Sequence, residues 1–201
     1  MPCIVPRLPA RPATGALATG VAKASGSQGL SLSRQGRRCV KVYAMSEVTS
    51  PFEPEFTEKL CEIFEQLISF NQVLGLKVDA LTESTARAHI RMRPELIGHY
   101  AHQRMHGGVI SAALDAMGGL AVMAATGARH MNEAPQQRLQ RFGKLGTIDL
   151  RVDYLRPAVG ALFHCEAEIL RLGSRVANTR MAFTDEQGRL LAAGAAAYIV
   201  S

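Results

Sequence analysis

The chain has 201 residues, 47% of them hydrophobic, with no Trp and a formal net charge of +6. That length suits one domain with a sizeable core and excludes two large ones. Residues 1–46 hold seven of the 23 basic residues and no acid, which leaves 16 cations against 17 carboxylates in the rest. Near-neutrality and few aromatics there exclude an extended nucleic-acid surface. The four cysteines (Cys3, Cys39, Cys61, Cys165) show no metal-ligand spacing. Scattered thiols fit a reducing, cytoplasmic setting, with Cys61 and Cys165 on apolar faces.

Residues 1–46 are rich in Ala, Gly, Ser, Pro and Arg and read as a disordered leader. Its composition also describes an organelle transit peptide. The favoured reading is that translation starts at Met45, with an upstream-start artefact before it and one domain over residues 47–201.

Ser50-Pro51-Phe52-Glu53 carries helix-start chemistry: a capping Ser, a first-turn Pro and a Glu three residues on. Phe56, Leu60, Ile63, Phe64 and Leu67 then recur at helical spacing, which predicts an amphipathic helix to about Asn71, ended by Gly75. Residues 76–81 and 84–93 read as two strands closed by Pro94. Residues 94–105 form a loop dense in His99, Tyr100, His102, Gln103 and Arg104.

Residues 106–125 are apolar almost throughout, opened by His106-Gly107-Gly108 and interrupted only by Asp115. Such a segment predicts a helix buried on every side. Its mid-segment Asp and four glycines argue against a membrane span. Residues 128–144 are polar, with a short exposed helix expected over residues 136–142.

The remainder reads as strands. Thr147 to Tyr154 alternates, with even positions apolar, as in a half-buried strand. Phe163, Cys165, Ala167 and Ile169 line one face of the next strand. Leu172-Gly173-Ser174 is a turn. Ala177, Met181 and Phe183 mark a third strand, followed by a hairpin at Asp185-Glu186-Gln187-Gly188. Residues 189–200 suit a strand covered on both sides. The order helix, two strands, buried helix and four-strand meander predicts an α+β hotdog fold, an antiparallel sheet wrapped around the long helix.

Gly107 and Gly108 open a helix whose first N–H groups lack intrahelical partners, and a dipole adds positive potential there. That arrangement suits an oxyanion. Each feature has a plainer reading: a turn for the Gly pair, a structural hydrogen bond for a buried Asp, a cap for His106. Asp115 lies eight residues on, about 12 Å along the axis. The two cannot act on one carbonyl within one chain. They can if two helices run antiparallel across a two-fold interface, so the spacing predicts a homodimer with two shared sites.

His106-Gly107-Gly108 followed by Asp115 resembles the HGG-x6-D signature of PaaI-type hotdog thioesterases. The resemblance to YigI-like acyl-CoA thioesterases is closer. It extends to Gln137-Arg138-Leu139 and to the run from Gly146 to Pro157, and it covers about residues 56–200. It begins shortly before the first helix, which supports Met45 as the start.

The resemblance implies hydrolysis of medium- or long-chain acyl-CoA without cofactor or metal. Gly107, with Gly108 and His106, would form the oxyanion end. Asp115 would be the nucleophile or the base, and Thr147 would assist the water. Relatives carry Asn six or seven residues before the His, where this chain has Tyr100 and His99. His99 or Gln103 would have to substitute. Coenzyme A phosphates would meet Arg156, Arg171, Arg175 and the amides of Gly173 and Ser174. His164, Glu166 and Glu168 read as exposed.

The acyl pocket is expected between Phe56, Leu60 and Phe64 and residues after Gly118. Partners are the acyl-CoA and a second copy, with dimers able to pair into tetramers, and neither nucleic acid nor membrane. The alternatives are a non-catalytic acyl-CoA-binding module and a hotdog dehydratase or hydratase, whose His–carboxylate signature is lacking.

Overall fold

The computed structural model describes residues 50–201. The leader and the Met45 start lie outside the described residues. In chain order the elements are helix α1 (Pro54–Glu62), a π turn (Ile63–Leu67) and helix α2 (Ser69–Leu74). Strands β1 (Lys77–Leu81) and β2 (Thr85–Arg91) and a small hairpin of β3 (Ile97–His99) and β4 (Arg104–Met105) follow. Next come helices α3 (Gly107–Arg129) and α4 (Pro135–Gln140), then strands β5 (Gly146–Tyr154), β6 (Leu162–Leu172), β7 (Val176–Asp185) and β8 (Leu190–Ile199).

Six strands form one antiparallel sheet in the order β1-β2-β6-β7-β8-β5, and α3 packs on one face of it. This is the hotdog architecture. Side chains alternate across the sheet. Ala86, Ala88 and Ile90 of β2, Phe163, Cys165 and Ala167 of β6, and Ala177, Met181 and Phe183 of β7 all face the helix and are buried. Alanine at many of these positions lets the helix lie close. Phe163 and Phe183 fill the wider gap, stacked at 5.5 Å. Truncating either to Ala is worth about 3–5 kcal/mol. Long and apolar enough to cross a membrane, α3 is nonetheless the domain's core helix, with 67% of its most apolar window buried.

Several expectations are corrected. The first helix starts at Pro54 rather than at Ser50-Pro51, capped by Glu53 without a side-chain bond. The Ser50 hydroxyl accepts the Phe52 N–H in the turn before it. Nor is the helix continuous to Asn71. A π turn and Ile68, at φ −80° and ψ 98°, break it, and Asn71 Nδ2 covers the freed Phe64 carbonyl at 2.9 Å. The extra residue turns Leu67 outward, 64% exposed.

The last four strands are not one meander. β6, β7 and β8 are, but β5 pairs with β8 at the sheet edge. Its alternation is interrupted by a register shift between Thr147 and Asp149, which leaves Ile148 57% exposed. β8 is covered on one face only: Leu191, Ala192, Ala196 and Tyr198 are buried while Ala195 is exposed.

The helix expected over residues 136–142 is observed as α4, yet it is not simply exposed, because Arg138 is 1% accessible. Its guanidinium lies 4.4 Å over the Phe56 ring and pairs with Glu53, tying α4 to α1. Phe56, Leu60 and Phe64 are themselves core residues packed under α3, not the walls of an open pocket.

Candidate active site

The 155–161 connection, which carries the chain from the edge strand β5 back to β6 in mid-sheet, passes the N-terminus of α3. Met105 N–H donates to Ala158 O at 3.0 Å, and His106 N–H to Leu96 O at 2.8 Å. The β3–β4 hairpin presses in from the other side. Gly98 permits this, since a Cβ there would stand 2.6 Å from His106 Cα. Between these segments opens a cavity of about 450 Å³ lined by Gly98, His99, Arg104, His106, Gly107, Tyr154 and Arg156, among others.

Gly107 begins α3 and lines this cavity. Among the described residues no acceptor meets its N–H. His106 is the N-cap: its Nδ1 accepts the Gly108 N–H at 2.8 Å. The Nδ1 atom is thus occupied in capping the start of α3, which is the plainer of the two readings of His106. The same bond takes the Gly108 N–H out of the set of free donors.

Asp115 lies two turns further along α3, partly buried. Its Oδ1 accepts the Thr147 hydroxyl at 2.9 Å and stands 3.4 Å from the Tyr198 hydroxyl. Tyr198 Oη also donates to the Asp115 backbone carbonyl at 2.8 Å. Gly118 makes the approach possible, because a Cβ there would sit 2.1 Å from that hydroxyl oxygen. Burial, and then the charge of Asp115, push the Tyr198 hydroxyl well above its usual range, so it stays a neutral donor. Oδ2 has no partner among the described residues. One carboxylate oxygen is anchored and the other is free to take a proton or attack a carbonyl.

His99 joins Gly107 in the cavity, as does Arg156, whose Nη1 donates to Leu190 O at 2.7 Å. Gln103 does not: it caps the Tyr100 carbonyl at 2.7 Å from a left-handed backbone at φ +49°. Arg171, Gly173, Ser174 and Arg175 lie at the β6–β7 turn, which Arg129 ties to the C-terminal end of α3 through Gly173 O at 3.0 Å. That is about 33 Å from Gly107 along the helix. The Gly173 N–H is spent on Val176 O at 2.9 Å and offers nothing to a ligand.

Two residues escaped the sequence. Tyr154 donates its hydroxyl to Gly107 O at 2.9 Å, and Tyr198 braces Asp115. Each is the lone hydroxyl of an otherwise apolar strand face, Tyr198 buried and Tyr154 half exposed at the cavity. Among the described residues, no group of three or more His, Cys, Asp or Glu side chains could hold a metal ion.

Comparison with known proteins gives a consistent result. Residues 102–192 match the family model of the thioesterase superfamily. The medium/long-chain acyl-CoA thioesterase YigI of Escherichia coli K12 is 36% identical over 139 residues, 69% of this chain and 90% of that protein. A crystal structure from Shewanella oneidensis, described as related to the thioesterase superfamily, is 37% identical. It superposes with a TM-score of 0.70 over 76% of this chain and 100% of its own. A Haemophilus influenzae thioesterase, 20% identical, shares the fold with a TM-score of 0.55 over 69% of this chain and 88% of its own.

Proposed function

The chain belongs to the thioesterase superfamily and is a thioester hydrolase, and from that premise we propose that it cleaves medium- or long-chain acyl-CoA to free acid and coenzyme A at a site shared by two copies of the chain. The observation that carries this reading is the pairing of an anchored, half-free carboxylate at Asp115 with an unpartnered N–H at Gly107 on one helix. The two lie about 12 Å apart along that helix. An antiparallel dimer brings Asp115 of one protomer to Gly107 of its partner. Edge strand β5, paired among the described residues with β8 alone and carrying the exposed Ile148, is the surface for such a dimer.

In this mechanism the thioester carbonyl points at the Gly107 N–H, where the helix dipole supports developing negative charge. Asp115 Oδ2 takes a proton from water as the water oxygen bonds to the carbonyl carbon. Thr147 and Tyr198 hold Oδ1 so that Oδ2 faces outward. The tetrahedral oxyanion then collapses, the C–S bond breaks, and the departing thiolate of coenzyme A takes the proton. Arg156 borders the thioester end. Arg171, Ser174 and Arg175 lie about 21 Å beyond Asp115 on the same chain, where the two cations suit the phosphates of coenzyme A. The buried free thiol of Cys165 suits a cytoplasmic location.

The test is turnover of an acyl-CoA series from butanoyl to hexadecanoyl, read as free thiol released. Asp115→Asn should lower kcat about a hundredfold or more on the favoured chain lengths. Full turnover by that variant overturns the assignment of Asp115. Saturable acyl-CoA binding with no thiol release in the unaltered protein favours the non-catalytic binding module instead.

A further inference from the structure

The Gly107–Gly108 peptide unit is gripped at both ends by side chains. Its carbonyl oxygen accepts the Tyr154 hydroxyl at 2.9 Å, and its N–H donates to His106 Nδ1 at 2.8 Å. Acceptance at Nδ1 places the imidazole proton on Nε2. The two rings also cover the glycines. A Cβ on Gly107 would touch the Tyr154 ring at 3.4 Å, and one on Gly108 would meet His106 Nδ1 at 2.9 Å.

Consecutive glycines allow a ligand close, but they carry the greatest backbone freedom of any pair. They stand here in a first helical turn, whose N–H groups lack intrahelical partners. A donor that stabilises an oxyanion is effective only if it is already aimed when charge develops. We propose that Tyr154 and His106 are positioning residues that clamp the Gly107–Gly108 peptide and thereby aim the Gly107 N–H at the thioester oxygen. This rests on the reading of Gly107 as the oxyanion donor. It gives β5 two tasks seven residues apart: Thr147 orients the carboxylate, and Tyr154 orients the helix start that faces a substrate. It also accounts for the His beside the glycines without an acid–base step at its ring.

The experiment uses the full chain with dodecanoyl-CoA and a free-thiol readout, and compares four variants. Tyr154→Phe keeps the ring over Gly107 and deletes only the clamp hydroxyl. It should lower kcat about tenfold with KM within about twofold, because the lost interaction matters in the transition state. His106→Ala should behave alike. His106→Asn, whose Oδ1 takes the place of Nδ1 as a cap acceptor, should rescue kcat to within about threefold of the unaltered protein.

An unchanged kcat in Tyr154→Phe overturns the clamp, as does a rise in KM alone. His106→Asn as slow as His106→Ala also overturns it, since the ring would then be doing more than capping. If His106→Ala fails to fold, Tyr154→Phe and His106→Asn still decide. Asp115→Asn, run alongside, separates the two levels. Its full activity sinks the site itself, whereas its inactivity beside a fully active Tyr154→Phe sinks only the clamp.

Discussion

Tyr198 touches Asp115 at two points, donating to its backbone carbonyl at 2.8 Å and standing 3.4 Å from its Oδ1. Thr147 reaches the same Oδ1 from the opposite strand position, since Thr147 and Tyr198 face each other across the β5–β8 ladder. Loss of one such bond is worth about 1 kcal/mol, or five- to tenfold in rate. Tyr198→Phe and Thr147→Val should each lower kcat by about that factor. The double variant should depart from the product of the two, because both hydroxyls act on one carboxylate. Steady-state kinetics on the three proteins checks this, and strict multiplicativity would separate the two hydroxyls.

Gly118 is where this arrangement is most exposed to substitution. A Cβ there meets Tyr198 Oη at 2.1 Å and Met181 Sδ at 2.8 Å. Alanine gains up to about 1 kcal/mol of helix propensity, against about 1–3 kcal/mol of overpacking. Gly118→Ala should therefore destabilise on balance and push the tyrosine off Asp115. Combining it with Tyr198→Phe should cost less than the sum of the two, as read by denaturant melts.

Gly107→Pro separates fold from chemistry. His106, at φ −66° and ψ 135°, has the backbone that precedes a proline, and a first-turn position tolerates one. The Cβ would sit at an ordinary 3.4 Å from Tyr154. The substitution deletes the Gly107 N–H and sets a ring beside Tyr154 at the cavity wall. Melting temperature should hold while kcat falls about a hundredfold or more.

The same variant tests the shared site. Gly107→Pro and Asp115→Asn, each inactive alone, should regain about half of the normal per-dimer turnover when purified together as a differentially tagged heterodimer, since one of its two sites is then intact. No recovery in such a heterodimer would place both groups of a site in one chain.

Glu53 gives the domain a specific acid sensitivity. The hydrogen bond from Arg138 holds its carboxyl below the ordinary 4.5, aided by a backbone bond and opposed by burial. A carboxylate depressed in the folded state contributes stability above its unfolded value, and that contribution disappears as pH falls through the depressed one. The melting temperature of the unaltered protein should thus drop faster than that of Glu53→Gln once pH falls below about 4.5. Parallel curves would show that the pair contributes nothing.

The core of the fold is legible in the sequence because burial writes a period. The alternation of Phe163, Cys165 and Ala167, the all-round apolarity of α3 and the glycine stop at Gly75 each survive in the structure. Asp115 and Gly107 stood out because one is a charge in an apolar helix and the other opens it. What was missed lacks a period. The breaks at the π turn and Ile68 leave the apolar spacing intact. Arg138 reads as a solvated cation, and only tertiary packing under Phe56 buries it. Tyr154 and Tyr198 are single hydroxyls whose partners lie 47 and 83 residues away in sequence. The place of β5 beyond β8 is likewise a long-range pairing that no local pattern announces.

That pairing makes the candidate site depend on chain made after β5. Among the described residues β8 is the one sheet neighbour of β5, yet it follows β5 in the chain only after β6 and β7. Thr147 and Tyr154 have no fixed ladder to sit in until Leu190–Ile199 has emerged, and Tyr198 arrives with that same segment. A nascent chain that has made α3 and β5 still lacks the strand that fixes Thr147, Tyr154 and Tyr198. A chain that stops before Leu190 should therefore leave β5 without its ladder and show no thioester hydrolysis, even with α3 packed.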